Sequence, residues 1–520
     1  MNTFKEKLLK HFNLSEEEFL ALTKEPVTVD LLPGFTKFND IDRILERIKK
    51  AIENKEKIAI YGDYDCDGVM ATTILYKAFL DLNYSLIYPF LPSRYIDGYG
   101  LTSDYVKKAA KKGISLIITV DNGVSANDAI DLANSLGIDV IVTDHHEVIH
   151  ELPKAYAFMH PFISEYGEIT CCGAYVSFML ASALLGKYDE YLLTLAAIAT
   201  ISDVMPLKQY NRDIVRIALN ILENNSYLAL TKLAGTTLID EEVIAMRIAP
   251  KINAIGRMAE NHELNVLLEY LTTSDKRRIN AIYEYIEKVN EIRKETMNIA
   301  FSENDEINES EDAIVVLTSE SEGLIGLLAT RFLKTYDKVA IVFCKDSKDP
   351  TLLRGSARSK KGFNVSKAFK ELSHLLESYG GHAFAGGCSL KVTNYLEFKE
   401  EFIKLAKVYT LLESKKKTIA LDKEEFTFEN YALYRSLAPY GEGFKKPYFK
   451  LSNIRKEELV YSRDGKHILT PLGSSRKLIG FNKADDINLK EDSSLDFIGT
   501  LSFNEYRGWK TLQFMIEDIE

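Results

Sequence analysis

The chain has little cysteine. Its 520 residues hold five, at Cys66, Cys171, Cys172, Cys344 and Cys388, and no Cys-x-x-Cys pair. An odd, scattered set excludes a disulfide frame and fits a reducing compartment. Positive charge is not in excess either. Against 76 Asp and Glu stand 65 Lys and Arg, a formal charge of −11. Affinity for nucleic acid would therefore have to come from local clusters. No apolar run reaches the length of a membrane span. The nearest, Ala174 to Gly186 and Leu192 to Ile201, is broken by Lys187-Tyr188-Asp189-Glu190. Nor does any Gly-x-Gly-x-x-Gly or Walker string open a helix, which argues against a dinucleotide or P-loop site. The first residues, Met1 to Lys7, enter an amphipathic helix and lack a secretory apolar core. These absences point to a soluble cytoplasmic protein with no membrane partner. At 46% hydrophobic and 27% charged, it should fold into roughly two to four domains.

What is present centres on Gly62-Asp63-Tyr64-Asp65-Cys66-Asp67-Gly68. Before it, Lys57 to Tyr61 reads as a buried strand; after it, Val69 to Leu80 follows a helical pattern. Three carboxylates thus alternate along a strand-to-helix turn, at the sheet edge where α/β folds bind ligands. Packed together they repel, so a cation with a preference for oxygen should sit among them. An Asp-x-Asp-x-Asp-Gly string also opens an EF-hand loop. That loop needs Glu at its twelfth position and a helix before it; here Ile74 and a strand stand in those places.

The rest of the first half repeats the pattern. Residues 1 to about 50 read as helical and peripheral, with Ile41, Ile44, Leu45 and Ile48 at helical spacing. Leu86-Ile87-Tyr88 predicts a short strand limited by Pro89. Ser115 to Val120 and Val140 to Thr143 predict two more strands, with helices near 104–112 and 127–136. Such alternation predicts a parallel sheet covered by helices on both faces. One apolar run ends in Asp121-Asn122-Gly123 and another in Asp144-His145-His146. A helical stretch, Leu192 to Ile201, runs into Ser202-Asp203-Val204-Met205-Pro206-Leu207. Parallel strands share a C-terminal edge, so Asp63, Asp121 and Asp144 should converge there. A lone Asp after a strand is an ordinary helix cap; several strand ends closing on Asp or His are not. Carboxylates with imidazole suit Mn²⁺ or Mg²⁺.

These strings resemble the four motifs of the DHH phosphoesterase superfamily. Their longer forms, from Tyr61 to Gly68 and from Ser202 to Leu207, are similar to the RecJ family of single-strand-specific exonucleases. The resemblance implies two divalent metal ions, Mn²⁺ or Mg²⁺, held by Asp63, Asp65, Asp121, His145 and Asp203, with Asp121 between them. It implies His146 facing the scissile phosphate and Asp144 orienting it. Asp67 is read either as a support behind the ligands or as a helix cap. Arg94, in Pro92-Ser93-Arg94-Tyr95-Ile96-Asp97-Gly98-Tyr99-Gly100-Leu101, and Arg257, in the string Ile248 to Met258, would contact substrate phosphate. Asn253 is expected to fix a loop backbone.

A long polar helix follows, about Ser274 to Ala300, with Ile279, Ile282, Ile286, Val289 and Ile292 along one stripe. Beyond the charged stretch Glu303 to Glu309, a second α/β unit holds predicted strands at 313–317 and 339–343 and a helix opening at Gly323. With the strings Leu353 to Ser359 and Gly380 to Gly387 it resembles the DHH-associated domain. There Ser356, Arg358, Gly380, Gly381 and His382 would bind substrate. The tail has short β-type runs, and Phe503 to Trp509 predicts a hairpin. The family places an oligonucleotide-binding fold at this end. Tyr448, Phe449, Tyr506 and Trp509 are candidates to stack bases, with core packing the alternative for each.

The expected order is an N-terminal helical segment (1–50), a DHH catalytic domain (51–272), a connecting helix (273–310), a DHH-associated substrate-binding domain (311–410) and an OB-like nucleic-acid-binding domain (411–520). The resemblance implies a 5′-to-3′ exonuclease on single-stranded DNA, working by two-metal hydrolysis in DNA repair and recombination. A single-strand-binding protein or a helicase is an expected partner. Two other readings are a DHH-family nanoRNase or cyclic-dinucleotide phosphodiesterase, usually a shorter chain, and a non-catalytic single-strand binder, which would not need every ligand position filled. The chain departs from the family pattern at Ser321, at His160-Pro161 and at Tyr175.

Overall fold

The computed structural model describes residues 3–24, 27–148, 151–164, 166, 169–258, 264–302, 307–308, 310–408, 417–488, 490, 492–506 and 509–520. The chain divides into two compact units. The larger spans Leu32–Met205 and Ala218–Ser414; the smaller gathers Met1–Leu31, Pro206–Ile217 and Lys415–Glu520.

The larger unit begins with a parallel sheet. Its strands are β1 (Lys57–Tyr61), β2 (Ile87–Phe90), β3 (Ile114–Val120), β4 (Asp139–Thr143) and β5 (Ala157–Met159), in the order β2-β1-β3-β4-β5. All four pairings are parallel. β1, β3 and β4 are apolar and buried along most of their length, as a sheet covered on both faces requires. On one face Ala59, Tyr61, Ile117, Val140 and Val142 pack with Val106, Ala109, Ile130 and Ala133 from helices Ser103–Lys111 and Asn127–Ser135. The pleat turns Ile58, Ile60 and Ile118 the other way. There lie helix Cys66–Asp81 and, beside it, helices Gly173–Leu185 and Glu190–Ser202, each buried over most of its length. β2 runs through Pro89, farther than the sequence predicts. It is an edge strand, and the carbonyls of Leu86 and Phe90 already accept from Ile58 of β1 and from Gly62 just beyond it. In that register the nitrogen of Pro89 points outward, where no ladder bond is lost.

Helix Lys276–Ser302 follows, about 40 Å long at 1.5 Å per residue. Ile279, Ile282, Ile286 and Val289 are buried as the stripe predicts, but Ile292 is exposed at the mouth of a cavity. The second sheet holds β6 (Ala313–Leu317), β7 (Val339–Lys345), β8 (Leu352–Arg358), β9 (Ser378–Gly381) and β10 (Ala385–Lys391), in the order β6-β7-β8-β10-β9. Only β6 and β7 pair in parallel, joined by helix Glu322–Tyr336. Helices Val365–Glu371 and Tyr395–Val408 bury Phe369, Phe398 and Phe402 on the opposite face.

Among the described residues the smaller unit has six strands: β11 (Thr418–Ala420), β12 (Tyr448–Arg455), β13 (Ile468–Pro471), β14 (Arg476–Gly480), β15 (Ser494–Tyr506) and β16 (Trp509–Ile519). They form one sheet in the order β11-β12-β15-β16-β14-β13. β15 and β16 pair antiparallel up to Tyr506 opposite Trp509; the turn between them lies outside the described residues. The first helices, Thr3–Phe12 and Glu16–Thr23, are not peripheral to this unit. Phe4 and Leu8 are fully buried in its core, and Phe4 stacks on Phe449 at 6.0 Å. Phe449 is therefore a core residue and not a base-stacking one. Tyr448 is half-buried, Trp509 is exposed, and the side chain of Tyr506 lies outside the described residues.

Candidate metal centre and phosphate pocket

The strands of the first sheet deliver carboxylates and imidazoles to one edge. After β1, Asp63 folds back to accept its neighbour's Tyr64 N–H at 2.8 Å. Asp65 caps helix Cys66–Asp81, accepting the Gly68 N–H at 3.1 Å. Asp67 caps a different helix. Its two oxygens accept the Gly173 and Ala174 N–H groups at 2.7 Å each, at the start of helix Gly173–Leu185. This joins the first motif to a segment more than a hundred residues away. After β3, Asp121 takes a left-handed backbone (φ 62°), a conformation that short polar side chains tolerate. The approach of helix Gly173–Leu185 is close: a Cβ on Gly173 would lie 2.5 Å from Asp121 Oδ1. After β4, Asp144 Oδ1 accepts the His145 and His146 N–H groups at 2.7 and 3.1 Å and lies 2.8 Å from His146 Nδ1, while Oδ2 accepts the Val124 N–H at 2.9 Å. Asp203 closes helix Glu190–Ser202, and Val204 after it sits at φ 55°, a strained position for a β-branched residue.

The donor atoms converge. Three sets lie within 4.8 Å of one another: Asp63, Asp65 and Asp121; Asp121, His145 and His146; Asp67, His145 and Asp203. His145 Nε2 lies 3.1 Å from Asp121 Oδ1, 3.6 Å from Asp67 Oδ2 and 3.7 Å from Asp203 Oδ2. Asp121 Oδ1 and Asp203 Oδ2 are buried without a hydrogen-bond partner, which leaves their lone pairs to be met by something else. Burial, reinforced by Asp65, pushes Asp63 up to about 7. Burial, with Asp67 and Asp65 nearby, pushes Asp203 up to about 8, and the same causes raise Asp121. Burial pulls His145 down. It would do the same to His146, but the bond to Asp144 together with the charges of Asp144, Asp67 and Asp203 raises the imidazole to about 9. Burial would raise Asp144, yet His146 and the Val124 N–H hold it near 2. Crowded carboxylates that resist ionisation, one neutral imidazole and orphan oxygens fit hard divalent cations such as Mn²⁺ or Mg²⁺.

Next to this cluster lies a cationic pocket of about 460 Å³, lined by Arg94, Arg257, Ser356, Arg358 and Gly380 among others. The Arg94 guanidinium lies 4.4 Å from the centre of the Tyr64 ring, between the ligand-type Asp63 and Asp65, and its Nε is buried without a partner. Ser356 and Arg358 project from alternate positions of β8, so they share a face, and Arg358 Nη1 donates to Ser356 Oγ at 3.0 Å. Burial, then Arg94, lowers Arg257 to about 10. Asn253 lies in helix Ala249–Arg257, not in a loop, and its Oδ1 accepts the Cys66 N–H at 2.8 Å, tying that helix to the first motif. A further recess is lined by Tyr99, Asp144, His146, Gly381 and His382. Gly380 and Gly381 form part of edge strand β9, opposite Gly387 and Gly386. The structure thus distributes the sequence-derived residues over one carboxylate cluster and two adjoining recesses.

Some contributors carry no separate signal in the sequence. Tyr99 Oη lies 3.1 Å from His146 Nε2. Asn122 Nδ2 donates to the carbonyls of Tyr61, Gly62 and Val120 at 3.2, 2.9 and 3.0 Å, stitching two motif loops together. Both stand inside strings already noted for their glycines or aspartates. The departures from the family pattern have local partners. His160 Nε2 lies 2.9 Å from the His146 carbonyl oxygen, Tyr175 Oη lies 3.3 Å from Tyr166 Oη, and Ser321 Oγ lies 3.1 Å from Tyr95 Oη.

Comparison with known proteins agrees with this architecture. Residues 57–201 match the DHH family N-terminal domain, 312–409 the DHHA1 domain and 419–518 the RecJ OB domain. The chain is 32% identical over 495 residues to the single-stranded-DNA-specific exonuclease RecJ of Bacillus subtilis, covering 91% of this chain and 62% of that relative's length. It is 29% identical over 539 residues to RecJ of Escherichia coli, covering 94% of this chain and 91% of that relative. The crystal structure of RecJ from Thermus thermophilus in complex with Mn²⁺ superposes with a TM-score of 0.80 at 24% identity, over 99% of this chain and 77% of that one. No helix among the described residues is long and apolar enough to cross a membrane. The chain thus carries, in order, the DHH, DHHA1 and RecJ OB domains, and over most of its length it is similar to RecJ exonucleases.

Proposed function

We propose that this chain is a metal-dependent exonuclease that hydrolyses single-stranded DNA from the 5′ end. The observation that carries the reading is a cluster of five Asp and two His side chains directly beside a pocket lined by four arginines, Arg94, Arg257, Arg354 and Arg358. Asp63, Asp65, Asp121, His145 and Asp203 would hold two cations, Mn²⁺ or Mg²⁺, with Asp121 shared between them. Bound there, such a pair supplies hydroxide at neutral pH and neutralises charge on the attacking and leaving oxygens. Asp67 takes another part: it fixes helix Gly173–Leu185 behind Asp121. His146, held by Asp144, offers its Nε2 face to the scissile phosphate, where Tyr99 Oη now lies.

The pocket favours a strand end over a strand interior. A terminal phosphate carries about −1.5 to −2 charges at neutral pH, whereas an internal phosphodiester carries one. Arg94, Arg257 and Arg358, with Ser356 and the Gly380 backbone, suit the more highly charged group. His382 and Gly381, across the recess from His146, would contact the nucleotide being released. A cytoplasmic setting, and a single-strand-binding protein or helicase supplying the strand, complete the proposal. The test is a time course on one single strand labelled at either end, with Mn²⁺ and with chelator. Early mononucleotide from the 5′ label, and none with chelator, is the expected result. Early release from the 3′ label, or cleavage in chelator, would refute it.

A further inference from the structure

Three walls of the arginine pocket meet at one phenol. Tyr95 directly follows Arg94 and is buried. Its Oη donates to the Arg257 carbonyl oxygen at 2.6 Å, accepts the Gly323 N–H at 3.1 Å and lies 3.1 Å from Ser321 Oγ. Arg257 Nη1 closes the ring by donating to the Gly323 carbonyl oxygen at 3.1 Å. Loop 92–100, the end of helix Ala249–Arg257 and the start of helix Glu322–Tyr336 are joined at this point. Packing there is tight. A Cβ on Gly323 would come within 2.5 Å of Tyr95 Oη. One turn later, a Cβ on Gly326 would lie 2.9 Å from Arg358 Nη2 and 3.2 Å from Ser356 Oγ. The same helix face therefore touches the phenol with one glycine and the phosphate-binding strand with the next.

Arg94, Arg257 and Arg358 are like charges around one small pocket. Before an anion arrives they repel, with Glu322 the one acid among the described residues on the same lining, so the loops that carry them need to be held in place. A buried phenol with its hydrogen bonds made can do this at little electrostatic cost. We infer that Tyr95 is a positioning residue: its hydroxyl holds the backbone that carries Arg94 and Arg257 against helix Glu322–Tyr336, so that the pocket is formed before the terminal phosphate of the strand enters. The inference rests on the exonuclease reading above. It adds that end recognition depends on a group that never touches the phosphate.

The test compares the wild type with Tyr95→Phe, which removes only the oxygen. Steady-state cleavage is measured on one single strand bearing either a 5′-phosphate or a 5′-hydroxyl, with Mn²⁺. Loss of the node should raise KM for the phosphorylated strand about tenfold, the scale of one or two lost hydrogen bonds. The hydroxyl strand, which leaves the pocket empty, should change less than about twofold, so the loss falls on KM for one substrate and not on kcat. Gly323→Ala, which crowds both partners of the bond, the Arg257 carbonyl oxygen and the phenol, should give the same split. Thermal unfolding controls for folding. If Tyr95→Phe does not fold, Ser321→Ala carries the test, with a smaller shift in the same direction. An equal loss on both strands, a loss in kcat alone, or no change overturns the inference. Metal-free calorimetry with a 5′-phosphorylated thymidine dinucleotide separates the two proposals. If the wild type cleaves neither strand, the exonuclease reading falls; Tyr95-dependent binding of the dinucleotide would still sustain the pocket's role, and binding indifferent to Tyr95→Phe would end it.

Discussion

Replacing Asp121 by Asn should stabilise the metal-free protein and remove most of its stabilisation by manganese. Asp121 is buried, with its Oδ1 unpartnered and oxygens of Asp63 and Asp65 within 4.8 Å. At that separation two full charges repel by about 3–4 kcal/mol at an effective dielectric near 20. Burial first, and this repulsion second, keep protons on the cluster, with Asp63 pushed up to about 7 and Asp203 to about 8. The sign follows from linkage. A carboxyl whose folded value is raised stabilises the fold below its unfolded value, and that contribution is lost as pH rises through the folded value. Metal-free stability should therefore decline from about pH 4 to about pH 8, and Asp121→Asn should recover most at the upper end. A gain of roughly 1–3 kcal/mol is expected there, a few degrees in melting temperature. Manganese at a hundred times its dissociation constant should stabilise the wild type by about 2.7 kcal/mol. The variant, lacking the shared ligand, should gain little. The assay is calorimetric melting at pH 5 and pH 8, with chelator and with Mn²⁺. A variant less stable than wild type at pH 8 without metal, or one that keeps the full manganese shift, would refute the reasoning.

Three further outcomes follow from the same geometry. Gly173→Ala places a Cβ against Asp121 Oδ1 and should weaken Mn²⁺ binding by more than about tenfold, as loss of ligand support does, measured by titration calorimetry. In the metal-free protein, Asp144→Asn should bring His146 from about 9 back toward about 6.5, followed by NMR titration. The pair's contribution to stability should be fullest between about pH 4 and 6.5, fading above as His146 loses its proton and below as Asp144 gains one; an unmoved His146 would show that the bond to Asp144 does not set its charge. Phe4→Ala empties a fully buried site stacked on Phe449 and should cost about 3–5 kcal/mol. Hydrogen exchange should quicken in β12 and β15 while β1 and β3 keep their protection; unchanged exchange in β12 would contradict the packing.

The metal-bearing edge is legible in the sequence for a physical reason. Parallel strands buried on both faces must be apolar throughout, so β1, β3 and β4 appear as short unbroken runs. Polar residues resume where each strand leaves the sheet, and those exits all lie on one side. Asp63, Asp121 and Asp144 therefore announce their neighbourhood without any view of the chain's path. What depends on contact between distant segments is not legible. Nothing local tells that Asp67 caps helix Gly173–Leu185, that Asn253 reaches Cys66, or that Phe4 stacks on Phe449. Pro89 misleads because its effect depends on whether the strand is at an edge. Ile292 misleads because a stripe marks a face but not where its cover is interrupted: Ile292 lines a cavity, and Met297 and Ala300 farther along are buried again.

The central claim is that residues far apart in the chain hold two cations within bonding reach of one phosphate. Electron paramagnetic resonance of the protein titrated with Mn²⁺ tests it most directly. The account expects two ions per chain with an exchange-coupled signal, as for ions about 3.5–4 Å apart, reduced to at most one uncoupled ion by Asp121→Asn. A single isolated Mn²⁺ signal in the wild type, or a coupled pair that survives Asp121→Asn, would contradict it.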